Sequence, residues 1–195
     1  MQLKKIVVIG PESTGKSSLC AQLAAHYKTA WVKEYAREYL LANGTNYSFN
    51  NLLDIARGQV NLEDRELLQF EIIAKQIIAS GFKNNVVAKF DSIPFFIDTD
   101  MQVLRVWCEF VFGKCHYWIL NQIVERTYDL YLLCNIDIAW VKDELREYPD
   151  LKTRERLYHH YKDTMVNQQV PWIDITGNYT ERLSKAIAAV DTLVI

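Results

Sequence analysis

Short apolar runs alternate with amphipathic stretches along most of the chain. The first run, Ile6-Val7-Val8-Ile9, is an unbroken β-branched string of the kind found in strands covered on both faces. Ser18 to Ala25 then carries apolar residues at helical spacing. Ala30-Trp31-Val32-Lys33 predicts a short second strand, and Glu34 to Ala42 a helix stopped by Asn43-Gly44. A polar loop bearing aromatic residues covers 45–51. From Leu52 a helical pattern resumes, through Gln59 and the charged Glu63-Asp64-Arg65-Glu66. Leu67, Phe70, Ala74 and Ile77 form a stripe at i+3/i+4 spacing, and Ser80-Gly81 ends it. Between Phe82 and Ile93 the periodicity is lost; Val86 to Phe90 reads equally as an extra strand or as a loop.

The pattern sharpens again at Pro94-Phe95-Phe96-Ile97-Asp98-Thr99-Asp100, where large apolar residues lead straight into two acids. This predicts a buried parallel strand with chemistry at its carboxyl end. Met101 to Phe112 is helical and apolar on most of its circumference, with Gly113 as its stop, and Tyr117 to Arg126 predicts another helix. Tyr128 to Cys134 is a strand leading into Asn135-Ile136-Asp137. Trp140 to Arg156 is dense in charge and interrupted by Pro149, after which Asp150 caps a helix with Leu157, Tyr161 and Met165 on one face. Val170 to Ile175 is the last strand, and Thr180 to Val190 the last helix. Strands alternating with helices imply right-handed crossovers. The expectation is one α/β domain over 1–195: a parallel sheet of about five strands with helices on both faces. Ligands of such sheets bind outside the carboxyl ends of the strands, and the 10–17 loop, Glu34, Asp98, Asp100 and Asn135 all fall there.

Between the first strand and the first helix stands Gly10-Pro11-Glu12-Ser13-Thr14-Gly15-Lys16-Ser17, which matches G-x-x-x-x-G-K-[ST]. Glycines let the backbone curl around a polyphosphate, with N–H groups pointing inward and the helix aiming its positive end at the charge. The motif predicts a P-loop NTPase/kinase fold that binds ATP and Mg²⁺. The nucleotide is expected on Gly10, Glu12, Ser13, Thr14, Gly15, Lys16, Ser17 and Ser18, with Lys16 at the β/γ-phosphates and Ser17 on Mg²⁺.

Phosphoryl transfer also needs a metal-holding acid, a group that orients or deprotonates the nucleophile, and cations for developing charge. Asp98 fits the metal role, or accepts the acceptor hydroxyl's proton; Asp100 stands in reserve for the second task. Either acid can instead cap the following helix. Arg146, Arg154 and Arg156 flank Pro149 in a stretch, about 140–156, that reads either as a hinged lid over the phosphates or as a solvated face. Arg146 is the best placed of the three, and Arg154 is grouped with the nucleotide-binding residues. Glu34 and Arg37 either pair with each other or hold acceptor hydroxyls. Trp140 is a candidate stacking wall, while Trp107 and Tyr35 read better as core. Gln59 is polar within a helical pattern and could equally be exposed and inert.

Composition narrows the function. The net charge is −2, without the electrostatic footprint of a nucleic-acid binder. Cys20, Cys108, Cys115 and Cys134 are scattered without a C-x-x-C pair, as reduced and mostly buried thiols are. No apolar run approaches the roughly 18 residues of a membrane span, and the chain enters its first strand with no room for a signal peptide. The expectation is a soluble, cytoplasmic protein with small-molecule partners, not nucleic acid or membrane. A regulatory GTPase should show D-x-x-G where Asp98-Thr99-Asp100-Met101 stands, together with an N-K-x-D motif that is absent. A ring-forming ATPase usually needs a longer chain with a separate helical lid domain. A small-molecule kinase remains.

Five elements occur together and in order: the phosphate loop with Glu12, Lys33-Glu34-Tyr35-Ala36-Arg37-Glu38, Gly58-Gln59, Phe96-Ile97-Asp98-Thr99-Asp100, and Trp140-Val141-Lys142-Asp143-Glu144-Leu145-Arg146. In this combination the chain resembles, over nearly its whole length, the ribosylnicotinamide kinase domain of NadR-type proteins. The resemblance implies phosphorylation of the 5′-hydroxyl of nicotinamide riboside by ATP, giving nicotinamide mononucleotide for NAD salvage. It carries over Lys16 and Ser17 for ATP and Mg²⁺, Asp98 for metal or proton, and Arg146 as the lid cation. Glu34, Arg37, Trp140 and Asp143 would surround the riboside, with Tyr35 and Asp100 grouped beside them. Longer relatives carry an N-terminal DNA-binding segment and an adenylyltransferase domain, and neither fits ahead of residue 6. Transcriptional regulation and NAD synthesis itself are therefore not expected, and 82–93 has no counterpart.

Overall fold

Strand β1 (Gln2–Ile9) lies at the centre of the sheet, because Ile6 to Ile9 present apolar side chains to both faces. The computed structural model describes residues 2–79 and 92–194, without the side chains of 77–79. The Ser80-Gly81 stop and the stretch at Val86 to Phe90 lie outside the described residues, as does the side chain of Ile77.

In chain order the elements are β1, α1 (Lys16–Tyr27), β2 (Trp31–Val32), α2 (Tyr35–Asn43), α3 (Phe49–Ala79) and β3 (Ser92–Asp98). There follow α4 (Met101–Phe112), α5 (Tyr117–Glu125), β4 (Leu130–Cys134), α6 (Leu151–Val166), β5 (Trp172–Ile175) and α7 (Tyr179–Val194). The five strands are parallel, in the order β2-β3-β1-β4-β5. β1 pairs with β3 and β4, and the register sets Val8 opposite Asp98 and Ile9 opposite Leu133. All carboxyl ends therefore open on the same edge as the loop that leaves β1.

Alternation along β1 divides the core. Ile6 and Val8 join Leu19, Leu23, Ala186 and Val190 under α1 and α7. Val7 and Ile9 join Val103, Val106, Leu157 and Tyr161 under α4 and α6. A third cluster, including Leu52, Ile55, Leu104 and Ile119, packs α2 and α3 against α4 and α5. Helix α3 starts at Phe49, inside the stretch expected as loop, because Asn51 and Ser48 close its first turn through Ser48 N–H to Asn51 Oδ1 at 2.9 Å. Leu67 and Phe70 pack inward as their spacing predicts. Asp150 caps α6 by accepting from Thr153 N at 2.8 Å. The 140–148 segment forms neither helix nor strand.

The tightest backbone constraint lies where β1 becomes the loop. Gly10 has φ 137°, and a Cβ there would stand 2.6 Å from the Cys134 carbonyl oxygen. Backbone cannot yield as a side-chain tip can, so Gly10→Ala is expected to cost about 2–4 kcal/mol. At this chain length that is a fall in Tm of roughly 5–15 °C. Gly113 also has positive φ, at 67°, but has nothing within 4 Å of a built Cβ. Gly113→Ala should lose only about 1 kcal/mol, so thermal melts that rank the two alike would show the close approach to be relaxed in solution.

Candidate active site

The loop that leaves β1 is shaped as an anion cradle. Ser13 (φ 56°) and Gly15 (φ 79°) both adopt left-handed backbone, the alternation that turns successive N–H groups to one side. Gly15 heads α1 without any side-chain capping bond, so no side chain competes there for an incoming anion. The buried Thr14 hydroxyl donates to Pro11 O at 2.7 Å, and Lys16 Nζ donates to the same carbonyl at 3.0 Å. Behind the loop lies Arg182 of α7, only 3% exposed. It donates to Thr14 O at 2.9 Å, to Gly177 O at 2.7 Å and to Asn135 O at 2.8 Å, and it pairs with Asp137. One guanidinium thus braces the phosphate loop against the end of β4 and the start of α7.

At the end of β3, Asp98 is fully buried and neither carboxylate oxygen has a hydrogen-bond partner. Burial pushes its pKa up to about 6; the Glu34 charge adds to this, while Lys16 and the Ser17 and Thr99 hydroxyls pull it down. Thr99 itself is held at φ 77°, an uncommon conformation for a β-branched residue. An orphaned carboxylate beside the loop's lysine and serine fits Mg²⁺, a hard cation that takes one or two carboxylates and completes its shell with phosphate and water. Among the described residues no group of three or more His, Cys, Asp or Glu side chains could hold a metal ion.

Asp100 is different. One oxygen accepts from Gln102 N at 3.0 Å and Val103 N at 3.3 Å, capping α4, and the other accepts from the Tyr131 hydroxyl at 2.7 Å. Both oxygens are bonded inside the protein, and in this structure Asp100 serves as a buried helix cap. Gln59 is likewise fully buried. Its Oε1 accepts from Tyr35 N at 2.7 Å and its Nε2 donates to Lys33 O at 3.3 Å, on either side of Glu34. Gln59 therefore fixes the backbone that carries Glu34, which heads α2 and faces the cavity without capping its own helix.

The 140–148 segment is strapped across the loop. Glu12 accepts from Trp140 Nε1 at 3.2 Å, Tyr148 N at 2.7 Å and Glu147 N at 2.9 Å. Ser13 Oγ accepts from Val141 N at 2.9 Å and from Arg146 Nη1 at 3.2 Å; Arg146 also donates to Val141 O. On the far side Arg37 makes two bonds of 3.2 Å to Asp143. Between strap and sheet lies a cavity of about 250 Å³. It is lined by the loop with Lys16, Ser17, Ser18 and Arg146, by the aromatic residues Trp107, Phe110, Tyr148 and Tyr161, and by the charged Glu34, Arg37 and Glu147.

The structure thus brings Gly10, Glu12, Ser13, Thr14, Gly15, Lys16, Ser17, Ser18, Glu34, Arg37 and Arg146 to one cavity, with Asp98 buried beside it. Four further expected residues do not line this cavity in the structure. Tyr35 packs its ring on Gly58, where a built Cβ would meet it at 2.0 Å, and does not line the cavity. Trp140 is turned to Glu12, outside the wall. Arg154 is buried and donates to Ile138 O at 3.2 Å and Ile136 O at 3.4 Å, so it braces the exit of β4 instead of facing phosphate. Asp143 holds Arg37 and does not itself reach the cavity. Arg156 lies over the Phe110 ring at 5.3 Å. Trp107 packs against the core, as its place on α4 predicts, and also lines the cavity, which its spacing alone does not show. Arg182 carries no sequence signal beyond one basic residue near the start of the last helix.

The AAA domain family matches residues 5–182. The trifunctional NAD biosynthesis/regulator protein NadR of Salmonella typhimurium (strain LT2) is 22% identical over 193 residues, which is 98% of this chain and 43% of that protein. A crystal structure of a NadR protein in complex with NR superposes with a TM-score of 0.73 at 22% identity, covering 96% of this chain and 50% of that one. Thymidylate kinase from Ehrlichia chaffeensis superposes at 0.61 with 12% identity, over 97% of this chain and 99% of its own. The chain spans about half the length, or less, of the NadR proteins it matches. The fold is that of the P-loop kinases. Among the described residues no helix is long and apolar enough to cross a membrane.

The unpartnered Asp98 makes a stability prediction. Its ordinary pKa of 3.8 is raised to about 6, so the folded state favours the protonated carboxyl. That share of stability is complete below the unfolded value and is lost as pH rises through the folded one. In EDTA at pH 7.5, Asp98→Asn should therefore melt higher than the parent, by on the order of 2 kcal/mol, and the gain should vanish towards pH 4. A variant less stable than the parent at pH 7.5 would mean that the carboxylate has partners in solution.

Proposed function

We propose that this chain, which belongs to the AAA domain family, is an ATP-dependent small-molecule kinase that phosphorylates the 5′-hydroxyl of nicotinamide riboside to give nicotinamide mononucleotide. The observation that carries the reading is one cavity lined both by a phosphate cradle and by aromatic residues, with Glu34 and Arg37 among its lining. The superposition on a NadR protein holding NR supports the acceptor, and the full-length likeness to thymidylate kinase supports transfer to a small acceptor over ring-type ATP hydrolysis. No further activity of the longer relatives is proposed.

In this reading the backbone of residues 10–17 and the start of α1 receive the phosphates. Lys16, now resting on Pro11 O, would turn to the β/γ-oxygens, and Arg146 would meet the charge that grows on the transferring group. Ser17 and Asp98 would hold Mg²⁺, which neutralises phosphate charge when bound. Glu34 faces the cavity with its carboxylate free of a capping bond, whereas Asp98 is buried and Asp100 is engaged. Glu34 is thus the group to orient the acceptor hydroxyl and take its proton as that oxygen bonds to the γ-phosphorus and ADP departs. Trp107 supplies a flat face for the nicotinamide ring.

Incubation with ATP, Mg²⁺ and nicotinamide riboside should yield nicotinamide mononucleotide by mass, with ADP released only when the riboside is present. Slow release of ADP without an acceptor, or equal use of uridine, would sink the assignment. Lys16→Ala should leave a folded protein with kcat/KM lowered about 10²–10⁴-fold. Trp107→Ala should raise KM for the riboside about 10-fold while KM for ATP stays within about twofold, the loss of one stacked ring. Trp140→Ala, which unfastens Glu12, should move the ATP constant more than the riboside constant.

A further inference from the structure

We infer that Glu147 and Tyr47 set the charge selectivity of the acceptor pocket, making it a receptor for a flat ring with a permanent positive charge. The inference rests on the acceptor reading above and adds residues that neither the phosphate chemistry nor the stacking wall uses. Trp107 Nε1 donates to the Tyr47 hydroxyl at 2.9 Å, and that hydroxyl donates onward to Glu147 Oε2 at 2.9 Å. The two rings meet edge to face, 5.0 Å between centroids at 77°. Burial, with Glu147 also raising it and Trp107 opposing, holds the Tyr47 phenol well above its ordinary pKa, so it remains the donor to the carboxylate.

The direction of this relay matters. An indole N–H that donates to an oxygen, itself polarised by an anion, gains electron density on its ring, and such chains reinforce one another. A richer ring face attracts a cation more strongly than a neutral ring of the same size. Glu147 also adds its own negative charge at the cavity border. Of the cations around the aromatic lining, Arg37 is paired with Asp143 at 3.2 Å and Arg156 lies over the Phe110 ring at 5.3 Å. Arg146 and Lys16 lie at the phosphate end, on Ser13 and Pro11. Glu147 is also delivered at a set position, since its own N–H is held by Glu12 of the phosphate loop at 2.9 Å. A contact that only fastened the 140–148 strap would not distinguish charged from neutral ligands.

The test compares nicotinamide riboside with its uncharged 1,4-dihydro form, which keeps the ring, the amide and the ribose. Calorimetric titration of the parent, Glu147→Gln and Tyr47→Phe should show the cationic form weakened about 3–10-fold in each variant and the dihydro form changed less than about twofold. Glutamine keeps the length of the side chain and accepts the Tyr47 hydrogen bond, so any loss is one of charge. If both forms weaken alike, or neither changes, the charge assignment is overturned while the acceptor reading stands. If the parent binds neither form, the acceptor reading falls and the inference with it.

Discussion

The constraint on which the site depends is a carboxylate placed where no protein group answers it. Strand pairing puts Asp98 level with Val8, one residue before the end of β1, so it arrives buried beside the phosphate loop. The fold accepts the cost of a raised pKa there, with only the Lys16 charge and the Ser17 and Thr99 hydroxyls pulling it down. Neighbouring acids show that the alternative was open. Asp100, two residues on, has all its bonding capacity used by α4 and Tyr131. Two acids of similar burial therefore differ in their surroundings: Asp100 caps the start of α4 and accepts from Tyr131, whereas Asp98 has no such partners.

Most of the architecture was legible because each boundary has a local cause. The β-branched runs became strands, Asp150 became a cap, and the glycine after α4 stopped it at φ 67°. The composition of the cavity was less legible, because periodicity tells how much of a helix is buried but not against what. Trp107 lies on a helix apolar nearly all round, so nothing in its spacing separates a core face from a ligand face. Trp140 stands in an irregular stretch and Arg154 in the first turn of α6, within a charged run that reads either as a hinged lid or as a solvated face. Their real partners, Glu12 and the Ile136 and Ile138 carbonyls, are set by tertiary path alone. Gln59 was ambiguous for the same reason: a buried amide is distinguished from an exposed one only by the backbone groups it meets, here those around Glu34.

The strap over the loop joins two ends of the cavity that chemistry keeps apart. Residues 146 and 147 point one way to Ser13 and the other to Tyr47, while Glu12 grips the peptide between Glu147 and Tyr148. Asp143 fastens the same segment to α2 through Arg37. The phosphate loop is thereby tied to Glu147 and Tyr148, which line the same cavity. Small-molecule transfer between two bound partners benefits from such a shared frame, since misplacement of either reactant lowers the rate steeply.

The brace at Arg182 bears on the order in which the molecule is made. Ribosomes deliver the phosphate loop well before its brace, since its Thr14 carbonyl is secured by the Arg182 side chain, 168 positions later. β1, too, finds its hydrogen-bonding partners only after β3 and β4 have emerged. At a synthesis speed of about 5–20 residues per second, the nascent cradle spends on the order of ten seconds as unfinished backbone. During that interval it has no bracing from behind and no opposing strand ends. The nucleotide-binding geometry is therefore among the last features to form, and a ribosome-bound fragment that lacks α7 presents the motif without the site.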